Sequence, residues 1–317
     1  MASLLARLPY AAAFIGRVFV SLIPYVVVTR AIVGRPFGWM LALAAPMILN
    51  NGLVGQNGFL TAALIGGTLY LMPVRPILAG ICLGLLSYKP QYGLLFPLVL
   101  IAAAQWRTFF SAAATTVLLV LVSWFAYGTE SWQAFFHWMP VFSQAFLVEG
   151  KATWWKLQSL YSLIRFLGGS EQLAWALHWI LTATVAVGLV VMWRSRVSYS
   201  LKAAALATGT LLITPYLFMY DMMVLAIPVG FLVRIGLKRG FRQYELAALA
   251  CAVALIFSFI FMGAPVGLGA TLIVAALIVR RATSGRRETV PVLLPATATV
   301  PASLPGSAVR SQSGARL

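Results

Sequence analysis

Short polar motifs interrupt a chain that is otherwise apolar, and their residue types set out the chemistry on offer. Asn50, Asn51, Gln56 and Asn57 crowd together among Gly52, Gly55 and Gly58. A carboxamide brings both a donor and an acceptor, so the turn Gly55-Gln56-Asn57-Gly58 suits a ligand rich in hydroxyls, such as a sugar. Capping of a tight turn is the competing reading. Lys89 stands inside a second apolar stretch, directly before Pro90, which removes a helix hydrogen bond and bends the chain. An ammonium at that depth needs an anion or water. A lipid phosphate would serve, with snorkelling to the headgroup layer as the alternative, and Gln91 adds a donor and an acceptor at the same break. Asp221, the only aspartate, follows Tyr220 and opens the run Met222 to Val233. It reads either as a helix N-cap or as a carboxylate on a cavity wall, able to hold a hydroxyl, orient a lysine or, less readily, accept a proton. Lys151, Lys156 and Gln158 lie on a longer polar segment. If that segment folds over a cavity, its cations would meet a phosphate leaving group; otherwise they form a solvated face.

The elements that must position these residues follow from composition. Hydrophobic residues make up 62% of 317 and charged residues 9%, and the mean hydropathy is +0.93. Such a chain cannot cover itself with a water-soluble shell and is an integral membrane protein. The net charge of +17 sits in short gaps between apolar runs instead of on one patch, which points to topology and away from nucleic acid. Cys82 and Cys251 lie within apolar runs without metal spacing and read as buried, inert thiols. His137 and His178 have no ligand partners at useful spacing. With no Walker lysine loop, zinc spacing or Ser-His-Asp ordering, neither a cofactor nor a metal is expected.

Apolar runs at about residues 10–30, 39–53, 58–73, 77–88, 91–105, 108–127, 173–193, 201–215, 221–234, 244–262 and 267–280 predict an all-α polytopic fold of about eleven helices. Several are shorter than the roughly 30 Å hydrocarbon core demands, which implies breaks lined by protein or water around a cavity. If the runs alternate, Arg30, Arg35, Arg75, Arg107, Arg194, Arg196 and the cations from Arg234 to Arg287 share one side, making it cytoplasmic. The opposite side holds Arg7, Lys89, Lys151, Lys156 and Arg165. The polar motifs then face outward. Residues 1–281 form the membrane domain, with 128–172 an amphipathic segment rich in tryptophan at the outer interface, and 282–317 read as a disordered cytoplasmic tail. Gly66-Gly67 and Gly80 with Gly84 suit close helix packing. The first residues carry no signal-peptide pattern.

The stretch Leu49 to Phe109, with Gly55-Gln56-Asn57-Gly58, Ala79-Gly80, Lys89-Pro90-Gln91 and Trp106-Arg107, resembles bacterial glycosyltransferase family eighty-seven. Thr214-Pro215-Tyr216 with Tyr220-Asp221, and Lys156, Gln158 and Ser159 before Gly168-Gly169, extend the resemblance over roughly residues 1–280. That family is similar to the GT-C enzymes of the bacterial inner membrane. The resemblance therefore implies a polyprenyl-phosphate sugar as donor, a mannose-like hexose as the group transferred, and a lipid or glycan acceptor on the outer side. It also implies an acidic general base in a first outer loop, and this chain begins after the corresponding point, so the first helix and that acid are expected to be missing from it. A transporter or lipid flippase would also want a polar cavity, but such proteins show paired broken helices from an inverted repeat, and no repeat is visible. A non-catalytic membrane partner is the third class.

Overall fold

Every apolar run becomes a helix. The computed structural model describes residues 7–151 and 153–283. Its helices are α1 (Tyr10–Val33), α2 (Phe37–Ala44), α3 (Met47–Val54), α4 (Gly58–Leu71), α5 (Pro76–Leu85), α6 (Leu95–Ala102), α7 (Trp106–Ser143), α8 (Leu160–Phe166), α9 (Glu171–Arg194), α10 (Tyr199–Leu212), α11 (Ala226–Arg239), α12 (Glu245–Met262) and α13 (Val266–Thr283). The count exceeds eleven for two reasons. The run at 39–53 is split where Ala45, held extended at ψ 124° before Pro46, separates α2 from α3. The polar segment contributes α8. Among the described residues six stretches are long and apolar enough to cross a membrane, and α2 with α3, bent by 53°, count together as a seventh. Ala282 and Thr283, the first residues of the expected tail, still belong to α13, whereas the rest of that tail and the first six residues lie outside the described residues.

Burial divides the helices into two kinds. The 14-residue helices α4 and α10 are sunk in the centre, with Phe59, Ala62, Ile65 and Leu69 of one and Ala203, Leu206, Ala207 and Leu211 of the other almost inaccessible. At about 1.5 Å per residue each spans about 21 Å, less than the bilayer core, and other helices sheathe them. Helix α1 packs on α4, α11 and α13 pack on α10, and α5 packs on α7. Small residues permit the last contact. A Cβ on Gly80 would come within 2.6 Å of the Thr108 carbonyl oxygen, and one on Gly84 would meet Thr115 and the Ala112 carbonyl. Gly66 likewise abuts Val28 and Ile227, so the expected glycine packing is realised. Of the two cysteines, Cys82 is half-buried, whereas Cys251 is exposed on α12, not buried as its apolar neighbours suggested.

Helix α7 breaks where the run at 108–127 ends: the backbone leaves the helix at Gly128 (φ 74°, ψ 170°), and a second helical stretch continues to Ser143 within the segment 128–172 read as amphipathic. Its 38 residues are therefore two halves joined at that kink; the buried residues, Thr108 and Ala112, lie in the first half and none lies in the second. That half displays Phe135, Phe136, Trp138, Met139 and Phe142 on its surface.

The bundle has two chemically different ends. At one, the Tyr199 hydroxyl donates to the Leu69 carbonyl at 2.6 Å, Thr108 Oγ1 donates to the Pro76 carbonyl at 3.1 Å, and the Arg30 guanidinium lies over the Trp39 ring at 5.4 Å. There too Arg281 clamps α13 to α12 through Glu245, its Nε donating to Oε1 at 2.6 Å with both side chains buried. The turns at this end carry the arginines. The opposite end gathers the polar motifs.

Candidate functional site

The amide turn and the Tyr220-Asp221 segment are brought together by a glycine. Helix α3 ends at Gly55 in the left-handed region (φ 65°), a conformation that favours glycine. Three residues later Gly58 opens α4 with its Cα against the Tyr220 carbonyl oxygen and Asn51, leaving no space for a Cβ. Asn51, fully buried, accepts from the Gly58 N–H at 3.2 Å, and its own amide nitrogen is left without a partner.

Lys89 arrives from the other direction. Proline disfavours the α conformation of the residue before it; Lys89 accordingly sits at φ −135°, ψ 70° between two single turns of 3-10 helix, Leu86–Tyr88 and Pro90–Tyr92. Its Nζ donates to Asp221 Oδ1 at 2.6 Å across 132 residues of sequence, with the lysine side chain 14% exposed and the aspartate 2%. The ammonium also lies over the rings of Tyr220 at 5.1 Å and Tyr92 at 5.8 Å, where ring quadrupoles favour a cation. Tyr92 is inaccessible, and its hydroxyl stands in the field of Asp221 without a completed hydrogen bond. Asp221 lies in a 3-10 segment, Met219–Leu225, and its side chain caps no backbone N–H; its partner is the lysine.

Helix α1 supplies a second cation. Arg17 Nη2 donates to Asn57 Oδ1, and Phe14, one turn earlier, packs against Gly55. Thr61 Oγ1 donates to the Asn57 carbonyl at 3.0 Å and shares a 2.8 Å hydrogen bond with the Tyr88 hydroxyl. Gln56 and Gln91 are half-buried beside these groups. Arg17 was readable in the sequence, since a lone arginine inside an apolar run is costly and rare. Tyr88, Tyr92 and Thr61 carried no such signal; tyrosine and threonine are ordinary in membrane helices.

The long polar segment folds back to the same end. Leu157 pairs with Phe218 in an antiparallel bridge, the Gln158 N–H donates to the Leu217 carbonyl at 2.6 Å, and Gln158 Oε1 accepts from the Gly267 N–H at 2.8 Å. Phe218 in turn stacks on Tyr220 at 5.4 Å. Lys156 is thus tethered one residue from that bridge; its side chain is exposed and lies over Trp155 at 5.4 Å. Lys151 is exposed and pairs with Glu149 at 2.9 Å. Neither lysine makes a hydrogen bond or ion pair with the Lys89 and Asp221 cluster. His178 is used structurally, its Nε2 bonding with the Ile213 carbonyl at 3.0 Å. Among the described residues no group of three or more histidines, cysteines or acids gathers as a metal site would require.

The cluster therefore combines two cations, one carboxylate, several carboxamides and three tyrosines. Such a set can hold an anion and a hydroxyl-rich group side by side. Fold and site together define a polytopic membrane protein with a buried polar site at one end of its helices. Residues 1–215 match glycosyltransferase family 87, more than half of the chain, and the protein belongs to that family; it is a membrane glycosyltransferase. The matched span is shorter than the stretch to residue 280 over which the resemblance was expected, and it ends before Tyr220 and Asp221. No curated protein and no solved structure matches the chain.

Proposed function

We propose that the protein is a GT-C type hexosyltransferase that moves a mannose-like sugar from a polyprenyl-phosphate donor to a lipid or glycan acceptor on the outer side of the inner membrane. The observation that carries this reading is the Lys89–Asp221 pair, which ties the Lys89-Pro90-Gln91 break to the Tyr220-Asp221 segment beside the amide turn. A buried ion pair gains little net stability against well-packed apolar residues, so its presence favours a ligand-handling role. Lys89 holds the donor phosphate, with Lys156 or Lys151 meeting it from the outer segment. Gln56, Asn57 and Gln91 bind sugar hydroxyls. Tyr220 forms an aromatic wall, and Asp221 orients the substrate once the phosphate engages its lysine.

Transfer forms a bond from the acceptor oxygen to the anomeric carbon as the bond to the phosphate oxygen breaks, and the acceptor's hydroxyl proton passes to water or to the departing phosphate. The lipid phosphate leaves with that electron pair, and nearby cations stabilise the developing charge. The arginine-rich turns face the cytoplasm, as does the C-terminal tail. A lipid-linked donor suits an outward site because it presents its phosphate and sugar at the membrane surface, where nucleotide sugars are absent.

The test is turnover of radiolabelled polyprenyl-phosphate mannose by membranes containing the full chain or Lys89→Ala, with lipid translocation measured in parallel. Loss of sugar transfer with unchanged insertion supports the assignment. Unchanged transfer removes Lys89 from the site, and translocation without transfer replaces the enzyme by a flippase.

A further inference from the structure

The arginine-rich end holds a second polar recess that the transfer reaction does not use. It lies between the α4–α5 turn, the α6–α7 turn and the junction of α9 with α10. Two adjoining cavities of about 380 and 460 Å³ share Met72, Pro73 and Gln105. Lys202 and Trp193 line one, and Arg107 lines the other.

The charged side chains lining this recess, Lys202 and Arg107, are both cations. Lys202 Nζ donates to the Trp193 carbonyl at 3.0 Å and the Ser195 carbonyl at 2.7 Å, which uses two of its three N–H bonds. The indole of Trp193, 6% exposed, has an N–H with no acceptor. Arg107 is exposed and makes no ion pair among the described residues. Among the described residues no carboxylate lines either cavity, and Glu245, an acid at this end, is taken by Arg281. The Gln105 amide nitrogen gives one N–H to the Ala103 carbonyl at 3.4 Å and keeps a second, so ammonium, guanidinium and carboxamide donors around one recess match the oxygens of a phosphate. Beside it, Val74, Ile77, Ile101 and Trp106 are exposed on the outer surface of the bundle, where the acyl chains of a lipid would lie. Basic pockets between membrane helices at a cytoplasmic face commonly take anionic headgroups.

We propose that this recess binds the phosphodiester headgroup of an anionic phospholipid, with Lys202, Arg107 and Gln105 on the phosphate and the chains against Trp106 and Ile77. The site is separate from the Lys89–Asp221 cluster and stands whether or not the hexosyltransferase reading holds.

The full chain is purified into phosphatidylcholine nanodiscs, and its thermal unfolding and retained lipids, by native mass spectrometry, are followed as phosphatidylglycerol or inorganic phosphate is added. Phosphatidylglycerol is expected to raise the unfolding temperature and to be retained. Arg107→Gln is expected to weaken retention about fivefold, while Arg234→Gln, an equal charge change on α11, leaves it unchanged. Lys202→Gln also removes a cap from α9, so Arg107→Gln is the deciding variant. Equal losses in Arg107→Gln and Arg234→Gln would reduce the effect to general surface charge and overturn the site. A full shift from inorganic phosphate alone would overturn the lipid and leave a free-anion site.

Discussion

Removing either partner of the Lys89–Asp221 pair should cost far more than removing both. At 2.6 Å and an effective dielectric of about 20, the attraction is about 6 kcal/mol. Withdrawing a carboxylate and an ammonium from water costs several kcal/mol each, so the net contribution to stability is near zero. Asp221→Leu strands a lysine that is 14% exposed, and Lys89→Met strands a carboxylate that is 2% exposed. Each single change is therefore expected to destabilise by about 3–5 kcal/mol. The double variant leaves no orphaned charge, keeps roughly the same volume, and should fall within about 1–2 kcal/mol of the native protein. Unfolding in detergent micelles reads these differences, and donor turnover is measured on the same samples. The double variant should recover stability and not transfer, because the groups that hold phosphate and substrate are gone. If the double change equals the sum of the singles within about 0.5 kcal/mol, the two residues do not act as a pair and the paired geometry fails. Transfer by the double variant at the native rate would refute the functional role and leave the packing role intact.

Two further outcomes bear on fold and orientation. Gly84→Leu should force α5 from α7, where Thr115 and the Ala112 carbonyl leave no room, and destabilise by about 1–3 kcal/mol; Gly188→Ala, with open space around it, should be nearly neutral, and similar unfolding of the two would contradict the close packing. With Cys82 and Cys251 replaced by alanine, a membrane-impermeant maleimide should label Lys151→Cys in spheroplasts and Arg75→Cys only after lysis, and the reverse pattern would invert the proposed orientation.

The helices and their ends were largely written in the sequence. Hydropathy is a local property, so each run could be read alone, and the alternation of arginine-rich turns with polar breaks already put Gln56, Lys89 and Asp221 toward one end. Local pattern also marked Pro90 as a break, although not that Ala45-Pro46 would divide the run at 39–53 in two. At Gly128 it marked the end of the run at 108–127, and the helical stretch that follows to Ser143 falls in the segment read as amphipathic.

What sequence could not supply was partnership. Lys89 read equally well as a snorkelling residue and Asp221 as a helix cap; only packing Gly58 against the Tyr220 carbonyl puts the carboxylate within 2.6 Å of the ammonium. The same folding joins Arg17 to Asn57 and leaves Lys151 with Glu149 on the surface. Side-chain contacts between distant segments depend on how helices cross, and helix crossing is set by close packing at small residues and proline breaks, which local composition does not encode.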